Sequence, residues 1–561
     1  MKTTRRLKLT LIAAAAFGAC NGWAGELDID NPDWTVRLDN TVKASVKVRT
    51  EGAAPELTDS FRLLVPGVPA SAFPQALNFN AGDQNFNKRE LVSERLDLLT
   101  EFDAVFRKNY GVRVSAAAWY DAAVHRRTAA PNDFFNGQTP PNEFPSLTRR
   151  ISGGDAEILD AFVFGGWSFD NGMKLTGRLG RHAIQWGETL FFGDNGIARA
   201  QGPIDIDKLL SSPNAQFKEF IRPVPQISAQ LQVNSDVSVG AYYQFGWEAD
   251  RLPPSGSYFS ISNIPWYASQ PQFVSVGSSS FVLTPRGESE PANSGQFGLQ
   301  LKWRLEESDL GFYYARYHDK DGQLYGQLNP FAPPGPFGTL PGNWYYVFPE
   351  EIRTYGASFS RSIGDVNVSV EASVRDNVPL RSEDILYGFF PGQQQPKFAT
   401  GSTAHVNVSA LASFGPNFLA RESTLVAELA WNRLLNRNDP DNHLDSGRTR
   451  DATALQFIFT PTYRQALPGL DLSVPFGVRY TLDGSSAVTL WDAKGNGTAS
   501  IGVEGNYLNK WQFALTYTHY IGTPAPFIDY SPLLTGANPR FGSGNSLADR
   551  NYLALSVRRT F

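Results

Sequence analysis

One cysteine, Cys20, and two methionines are all the sulfur in 561 residues. Cys20 lies in the leading apolar stretch, so the remainder of the chain has no thiol for a disulfide, a redox pair or a soft-metal site. Basic excess is also lacking, since 50 Lys and Arg face 55 Asp and Glu, and nothing in that balance seeks nucleic acid. After residue 24 no apolar run approaches the roughly 18 residues that a membrane-spanning helix needs. If the chain enters a membrane, it does so as strands. The six histidines (His125, His182, His318, His405, His443, His519) form no metal-ligand spacing. H-E-x-x-H, C-x-x-C, G-x-S-x-G and the P-loop pattern are all missing. We therefore expect no catalytic residue, no metal and no cofactor. His182 near Glu188 and His519 beside Thr518 read as polar or interfacial strand residues before they read as catalytic pairs.

What is present begins at the N-terminus. Met1 to Lys8 carries four basic groups and no acid, and the apolar stretch Leu9 to Ala19 follows, which is a secretory signal layout. Gly22-Trp23-Ala24 predicts cleavage after Ala24, leaving residues 1–24 as the signal and 25–561 as one barrel domain. A lipid-bearing Cys20 is the weaker alternative, because Phe17 and Gly18 fit that signal poorly. Arg5-Arg6 reads as ordinary n-region charge, since twin-arginine export carries folded cargo. Removing the signal moves the formal net charge from −5 to −9, because 50 − 4 leaves 46 basic residues against 55 acidic ones.

Trp34 to Arg49 gives the clearest pattern: Trp34, Val36, Leu38, Val42, Ala44, Val46 and Val48 alternate with Arg37, Asp39, Thr41, Lys43, Ser45, Lys47 and Arg49. A period of two with one apolar and one polar face is a strand between two different solvents. Paired runs recur around turn residues at 107–109, 170–172, 234–236, 306–308, 362–365, 415–421, 465–469 and 508–510. Every second connection is instead long and rich in Gly, Pro, Asn and Asp. Short turns alternating with long loops mark an outer-membrane-type barrel, with short periplasmic turns and long extracellular loops. The fold expected is all-β: a transmembrane antiparallel β-barrel. Eight hairpins make sixteen strands, the alternative count. The strand at Trp34 and the C-terminal strand raise it to about eighteen. Trp34, Tyr110, Trp167, Trp247, Trp303, Trp431, Tyr507 and Trp511 are expected in the interfacial girdles. The chain ends in alternation on Phe561, similar to the C-terminal signal read by barrel-assembly machinery, although Arg559 departs from the usual apolar residue.

Four stretches carry a family resemblance: Glu94–Phe102 running on to Ala118–Asp121, Gly180–Glu188, Trp247–Phe259 and Tyr313–His318. With them the chain resembles the outer-membrane proteins catalogued as domain of unknown function 1302, over nearly all its mature length. The resemblance implies the barrel and the Gram-negative outer membrane. It transfers no catalytic residue, and the cargo it implies is a hydrophobic or lipid-like compound.

If the sheet closes, Arg37, Lys43, Arg95, Asp97, Glu101, Asp103, Arg113, Lys174, Arg178, Glu371, Arg375 and Arg479 point inward. Charges of both signs inside a barrel need water or each other, so the lumen is a wet conduit or a polar network. The segment after the strand Lys174–Ala183 holds too many large apolar groups to lie open to water. Trp186, Glu188, Phe191, Phe192 and Arg199 are the candidates for a constriction loop, with capping of the barrel rim as the plainer role. The expected function is a channel-like barrel for passive passage of a small, partly apolar solute, its partners being outer-membrane lipid and that cargo. The alternative is a non-conducting binding or assembly barrel whose loops hold a ligand or envelope partner. Oligomeric state has no sequence signal.

Overall fold

The computed structural model describes residues 25–58, 81–130, 142–213, 215–262, 271–276, 279–335, 338–383, 385–388, 390–439, 444–529 and 540–561. The expected signal segment with Cys20, and His443, lie outside the described residues. The first half of the main sheet contains β1 (Trp34–Arg49), β2 (Leu91–Phe106), β3 (Tyr110–Asp121), β4 (Gly154–Ser168), β5 (Lys174–His182), β6 (Val224–Gln232), β7 (Val237–Gln244), β8 (Gln296–Leu305) and β9 (Ser308–Tyr317). The second half contains β10 (Ile352–Ile363), β11 (Val366–Pro379), β12 (Thr400–Phe414), β13 (Glu422–Arg437), β14 (Asp451–Leu467), β15 (Leu470–Ser473 continued by Phe476–Asp483), β16 (Gly497–Tyr507), β17 (Trp511–Ile521) and β18 (Tyr552–Thr560). A short N-terminal strand, Gly25–Leu27, pairs alongside β1.

Each strand pairs antiparallel with its chain neighbour, and β18 pairs with β1 from Thr560 opposite Thr41 to Tyr552 opposite Arg49. Phe561 and Asn40 exchange two backbone hydrogen bonds of 2.8 and 2.9 Å at that seam. The result is a closed antiparallel barrel of eighteen strands, the larger of the two expected counts. Proline interrupts the wall only locally: β15 breaks at Val474-Pro475, where Pro475 has no N–H to give. Val474 N–H donating to Pro461 and Pro475 accepting from Gly502 N–H, both at 3.0 Å, carry the wall across the break.

Short turns and long connections alternate around the ring as expected. One three-residue turn, between Phe106 and Tyr110, places Arg107 and Lys108 at φ 48° and 62°, a left-handed pair that reverses the chain tightly.

The two faces of the wall differ as two solvents require. Val46, Leu98, Val114, Leu179, Ile227, Leu299, Phe359, Val408, Ile501 and Leu515 stand exposed on the outside, an apolar belt that water would not support. Trp34, Tyr110, Trp167, Trp303 and Tyr507 are exposed at the short-turn ends of their strands, and Tyr120, Tyr243 and Tyr355 at the long-loop ends, the places of interfacial aromatics.

Trp247 departs from that expectation. It lies past the end of β7, where the chain has left the wall. Its ring packs 4.6 Å from that of Phe348 and its indole N–H donates to the Asp319 carbonyl at 3.0 Å, so it has both an apolar neighbour and an acceptor inside the protein. There it edges a second, five-stranded sheet built by three long connections: Gln272–Val276, Ser279–Ser289, Gln323–Leu328, Leu340–Val347 and Ile385–Tyr387. Phe281, Leu283, Leu328, Trp344, Tyr346 and Phe348 form its buried side.

Candidate functional site

The connection from β5 to β6, residues 183–223, does not stay at the rim. Its first leg crosses to the opposite inner wall. Glu371 on β11 accepts the backbone N–H of Glu188 at 2.6 Å and of Ile197 at 2.5 Å. Glu428 on β13 accepts from Leu190, Phe191 and Phe192. Arg375 donates to the carbonyls of Asp194, Asn195 and Gly196 at 2.7 to 2.9 Å. Asn195 is itself held by Asn407, His405 and Asn432. Backbone that turns without a regular ladder must find side-chain partners when buried, and the polar inner face of β11–β13 supplies them. Phe192 fills the hollow left where Ala430, Ala452 and Ala454 stand on the wall, with Trp491 at 5.2 Å and the Arg479 guanidinium also 5.2 Å from its ring.

The second leg returns along β1–β3. α1 (Ile206–Ser211) is capped by Asp205, which accepts the Lys208 N–H at 2.8 Å, as N-cap carboxylates do. Lys47 donates to the Leu210 carbonyl, and the Lys208 ammonium lies 5.1 Å from the Trp119 ring centroid. In α2 (Phe217–Phe220), Glu219 accepts from Lys43 at 2.9 Å and Lys218 pairs with Glu101. Between the legs Arg199 binds Asp250 at 2.5 Å and Asp319 at 2.6 Å. Arg251 joins Asp205 at 2.7 Å to Glu157 at 2.8 Å. Burial, with Asp205 alongside, pushes the Asp207 carboxyl up to about 7. Burial likewise lowers Lys208 and raises Glu188.

The expected site residues fall into groups. Glu371, Arg375, Phe191 and Phe192 meet at the first leg. Arg95 and Asp97 pair at 2.8 Å beneath the second, and Arg113 joins Glu101 at 2.5 Å to Asp103 at 3.3 Å. Trp186 packs edge-on against Tyr242 at 5.0 Å, and Glu188 stands 3.8 Å from Lys302. Arg199 belongs to the Asp250–Asp319 cluster and not to the aromatic patch beside Phe191. Arg37 pairs with Asp39, at 2.6 Å, near the short-turn end, and Arg178 lies over Phe162 at 5.6 Å and faces a cavity that the start of the crossing segment also lines. Sequence reasoning missed Glu428, Asn195, Asp205, Asp207, Lys208 and Asp250. Glu428 was reachable, because it alternates with Ala430 and Asn432 on the inner face of β13.

Two cavities open on the short-turn side of the segment. One of ≈ 560 Å³ lies between Trp186 and the inner wall of β4–β8. The other, ≈ 320 Å³, is lined by Lys43, Arg464, Asp471, Glu504 and Arg558 among others. Toward the long-loop end, Arg49 and Arg550 are fully buried with Asp83 and Asp549, and Arg550 donates to the Tyr258 carbonyl. Among the described residues no group of three or more His, Cys, Asp or Glu is placed to hold a metal.

A family model described as protein of unknown function (DUF1302) matches residues 6–561. The chain belongs to that family. No curated protein matches it. Among solved structures it is similar to OccAB2 of Acinetobacter baumannii, at 10% identity over 95% of this chain and 98% of that one, TM-score 0.41. It is also similar to the outer membrane channel DcaP of Acinetobacter baumannii, at 10% identity over 96% and 100%, TM-score 0.36. A third is OccK2 (OpdF) of Pseudomonas aeruginosa in complex with glucuronate, at 9% identity over 94% and 98%, TM-score 0.36.

In this DUF1302 chain the four stretches of resemblance converge on the crossing segment. Gly180–Glu188 launches it. Trp247–Phe259 supplies Asp250 and Arg251, while Arg95, Trp119 and Asp121 form the wall under α1. Tyr313–His318 supplies Ala315 and Tyr317, which pack with Ala200 of the segment. Their shared work is to seat the segment.

Proposed function

We propose that this DUF1302 protein is exported with loss of residues 1–24, is recognised for assembly through Phe561, and resides in a Gram-negative outer membrane. There it acts as a channel-like barrel through which a small, partly apolar solute diffuses passively, with periplasmic short turns and extracellular loops. The observation that carries this reading is the segment 183–223, which bridges a closed barrel from β11–β13 to β1–β3 (Glu371 and Glu428 at one side, Lys43 and Glu101 at the other). A barrier held by specific inward groups narrows a conduit without closing the wall, and residues such as Trp186, Glu188, Phe191, Phe192 and Arg199 then set what passes.

Purified protein in planar bilayers tests this by single-channel steps or solute-dependent flux. Deleting 186–197, together with Glu371→Gln and Glu428→Gln so that no bare carboxylates remain, should raise conductance while heat-modifiable migration persists. A folded barrel that stays silent in both forms sinks the proposal. The five-stranded sheet on the loops favours a second reading, a non-conducting barrel that grips an envelope partner. A stable partner recovered from intact envelopes, with no flux, would select it.

A further inference from the structure

The charges inside the barrel are mostly matched. Arg95, Arg113, Arg199 and Arg251 each meet carboxylates, and Arg464 in the smaller cavity meets Glu422 and Asp471. The ≈ 560 Å³ cavity is different: Arg178, Lys302 and Lys108 line it and no Asp or Glu does. Lys302 has Glu188 at 3.8 Å. Arg178, exposed toward the cavity, has none of the described carboxylates at ion-pair distance. Across the ladder Arg178 is flanked by Phe164 on β4 and Ser228 on β6. The roof is aromatic and fixed. Trp186 is pinned by Gln201, which accepts its backbone N–H at 2.6 Å, and by the Tyr242 ring. Beneath it the wall is bare backbone at Gly240, where an added Cβ would stand 3.2 Å from the indole Cζ2 and push the ring back by a few tenths of an ångström.

We propose that this cavity binds an amphipathic anion: a carboxylate seated on Arg178, with an apolar ring or short chain lying between Phe164 and Trp186. The proposal rests on the channel reading and names the solute class for this side of the barrel. Three chemical facts support it. A guanidinium with no carboxylate partner among the described residues offers an incoming carboxylate two parallel hydrogen bonds. Cations gathered on one wall of a cleft raise the local concentration of anions. The cavity volume lies within the roughly 300–1,000 Å³ of small-molecule sites, and its two aromatic faces, Phe164 and Trp186, stand among polar groups such as Gln185, Gln230 and Gln300, a lining suited to a solute with one charged and one apolar end.

Phenylacetate and its neutral isostere phenylacetamide test the site by ligand-observed NMR titration of the detergent-solubilised full barrel. The acid should bind about tenfold tighter than the amide at low salt, and the gap should shrink as salt rises. Arg178→Gln should bring the two within about twofold, and Arg178→Lys should fall between. Trp186→Ala should weaken both compounds alike. Equal binding of acid and amide by the unaltered protein overturns the proposal. So does an acid preference that survives Arg178→Gln in a barrel with normal heat-modifiable migration. If Arg178→Gln does not fold, Lys302→Gln replaces it and must reduce the acid preference without touching amide binding. Bilayer currents with the same two compounds separate this idea from the channel itself. Acid-selective binding without conductance leaves the site and removes the channel; conductance without acid-selective binding does the reverse.

Discussion

Glu428 on β13 accepts the backbone N–H of Phe192 at 3.0 Å, and the same carboxylate oxygen also receives the N–H groups of Leu190 and Phe191. The side chain is 1% exposed, so three successive amides stand where water would otherwise solvate the charge. Its other oxygen accepts from Asn407 at 2.6 Å. The segment and the charge each lose their partner when the other is removed.

Glu428→Gln should therefore loosen the first leg more than an ordinary surface change. Replacing the charged acceptor weakens three charge-assisted bonds and turns an N–H₂ toward donors, a cost of roughly 2–4 kcal/mol. The temperature at which heat-modifiable migration is lost should drop, and single-channel conductance should rise. A lowered melting temperature with unchanged conductance would take the first leg out of the solute's path.

Phe192→Ala tests the apolar half of the same anchor. The ring is 1% exposed against Ala430, Ala452, Ala454 and Trp491, and truncating a buried Phe costs on the order of 3–5 kcal/mol. Phe192→Leu should recover most of that. Thermal melts of the two variants check the order, and equal losses would mean that the hollow does not select for a large side chain.

Much of the barrel was legible because its signal is periodic. The alternation of Trp34 to Arg49 fixes which side chains face lipid, and residues such as Arg107-Lys108 or Glu306-Glu307 between two such runs can only be turns. The interior segment obeys no period. α1 is six residues long and α2 four, too short for a helical stripe, and the first leg is held by side chains from β11–β13 more than 170 positions away in sequence. Phe191 and Phe192 could be recognised as groups that must hide. Nothing local could tell that Ala430, Ala452 and Ala454 make the place. Trp247 shows the converse, since a Trp just beyond a strand resembles a girdle residue until the loop packing is known.

Charge substitutions on the two faces should separate lipid from lumen. A lysine at Val114 or Leu515 should cost roughly 2–4 kcal/mol near the midplane, and one at Val46, which stands opposite Glu94, should cost less. Alternation alone makes Ser45, Ser115 and Thr516 cheap sites, but Ser45 and Ser115 are buried, and the Ser115 hydroxyl donates to Asp160 and accepts its N–H. Only Thr516 should tolerate the charge. Refolding yields into lipid vesicles rank the variants, and a lysine at Leu515 as stable as one at Thr516 would mean that the register is reversed.

Tags placed at Gly322 or Gly335, in the β9–β10 connection, should be cut by protease on whole cells. Tags in the short turns at Asn109, Ser235 or Lys510 should survive until the envelope is opened. The opposite pattern would invert the barrel in the membrane.

The pH response of the crossing segment should run through Asp207. This carboxyl is buried in α1 beside Asp205, takes a hydrogen bond from Ser152 at 3.1 Å, and is pushed up to about 7, with Arg95 and Arg251 pulling the other way. An unfolded Asp titrates near 3.9, so between about 4 and about 7 the folded protein binds the proton that the unfolded chain has already lost. Stability from this group is therefore fully present below about 4 and is lost as pH rises through about 7, by an amount on the order of a few kcal/mol. Asp207→Asn keeps the shape, stays neutral throughout, and should remove that slope. Melts at pH 5 and pH 8 provide the check: the variant should melt slightly higher than the unaltered protein at the lower pH, where the loss has only begun, and well above it at the upper. Since α1 anchors the second leg to β1–β3, bilayer recordings at the same two values should show more frequent excursions to high conductance at pH 8 in the unaltered protein, and fewer in Asp207→Asn. An Asp207→Asn barrel that keeps the full difference between the two pH values would place the titrating group elsewhere.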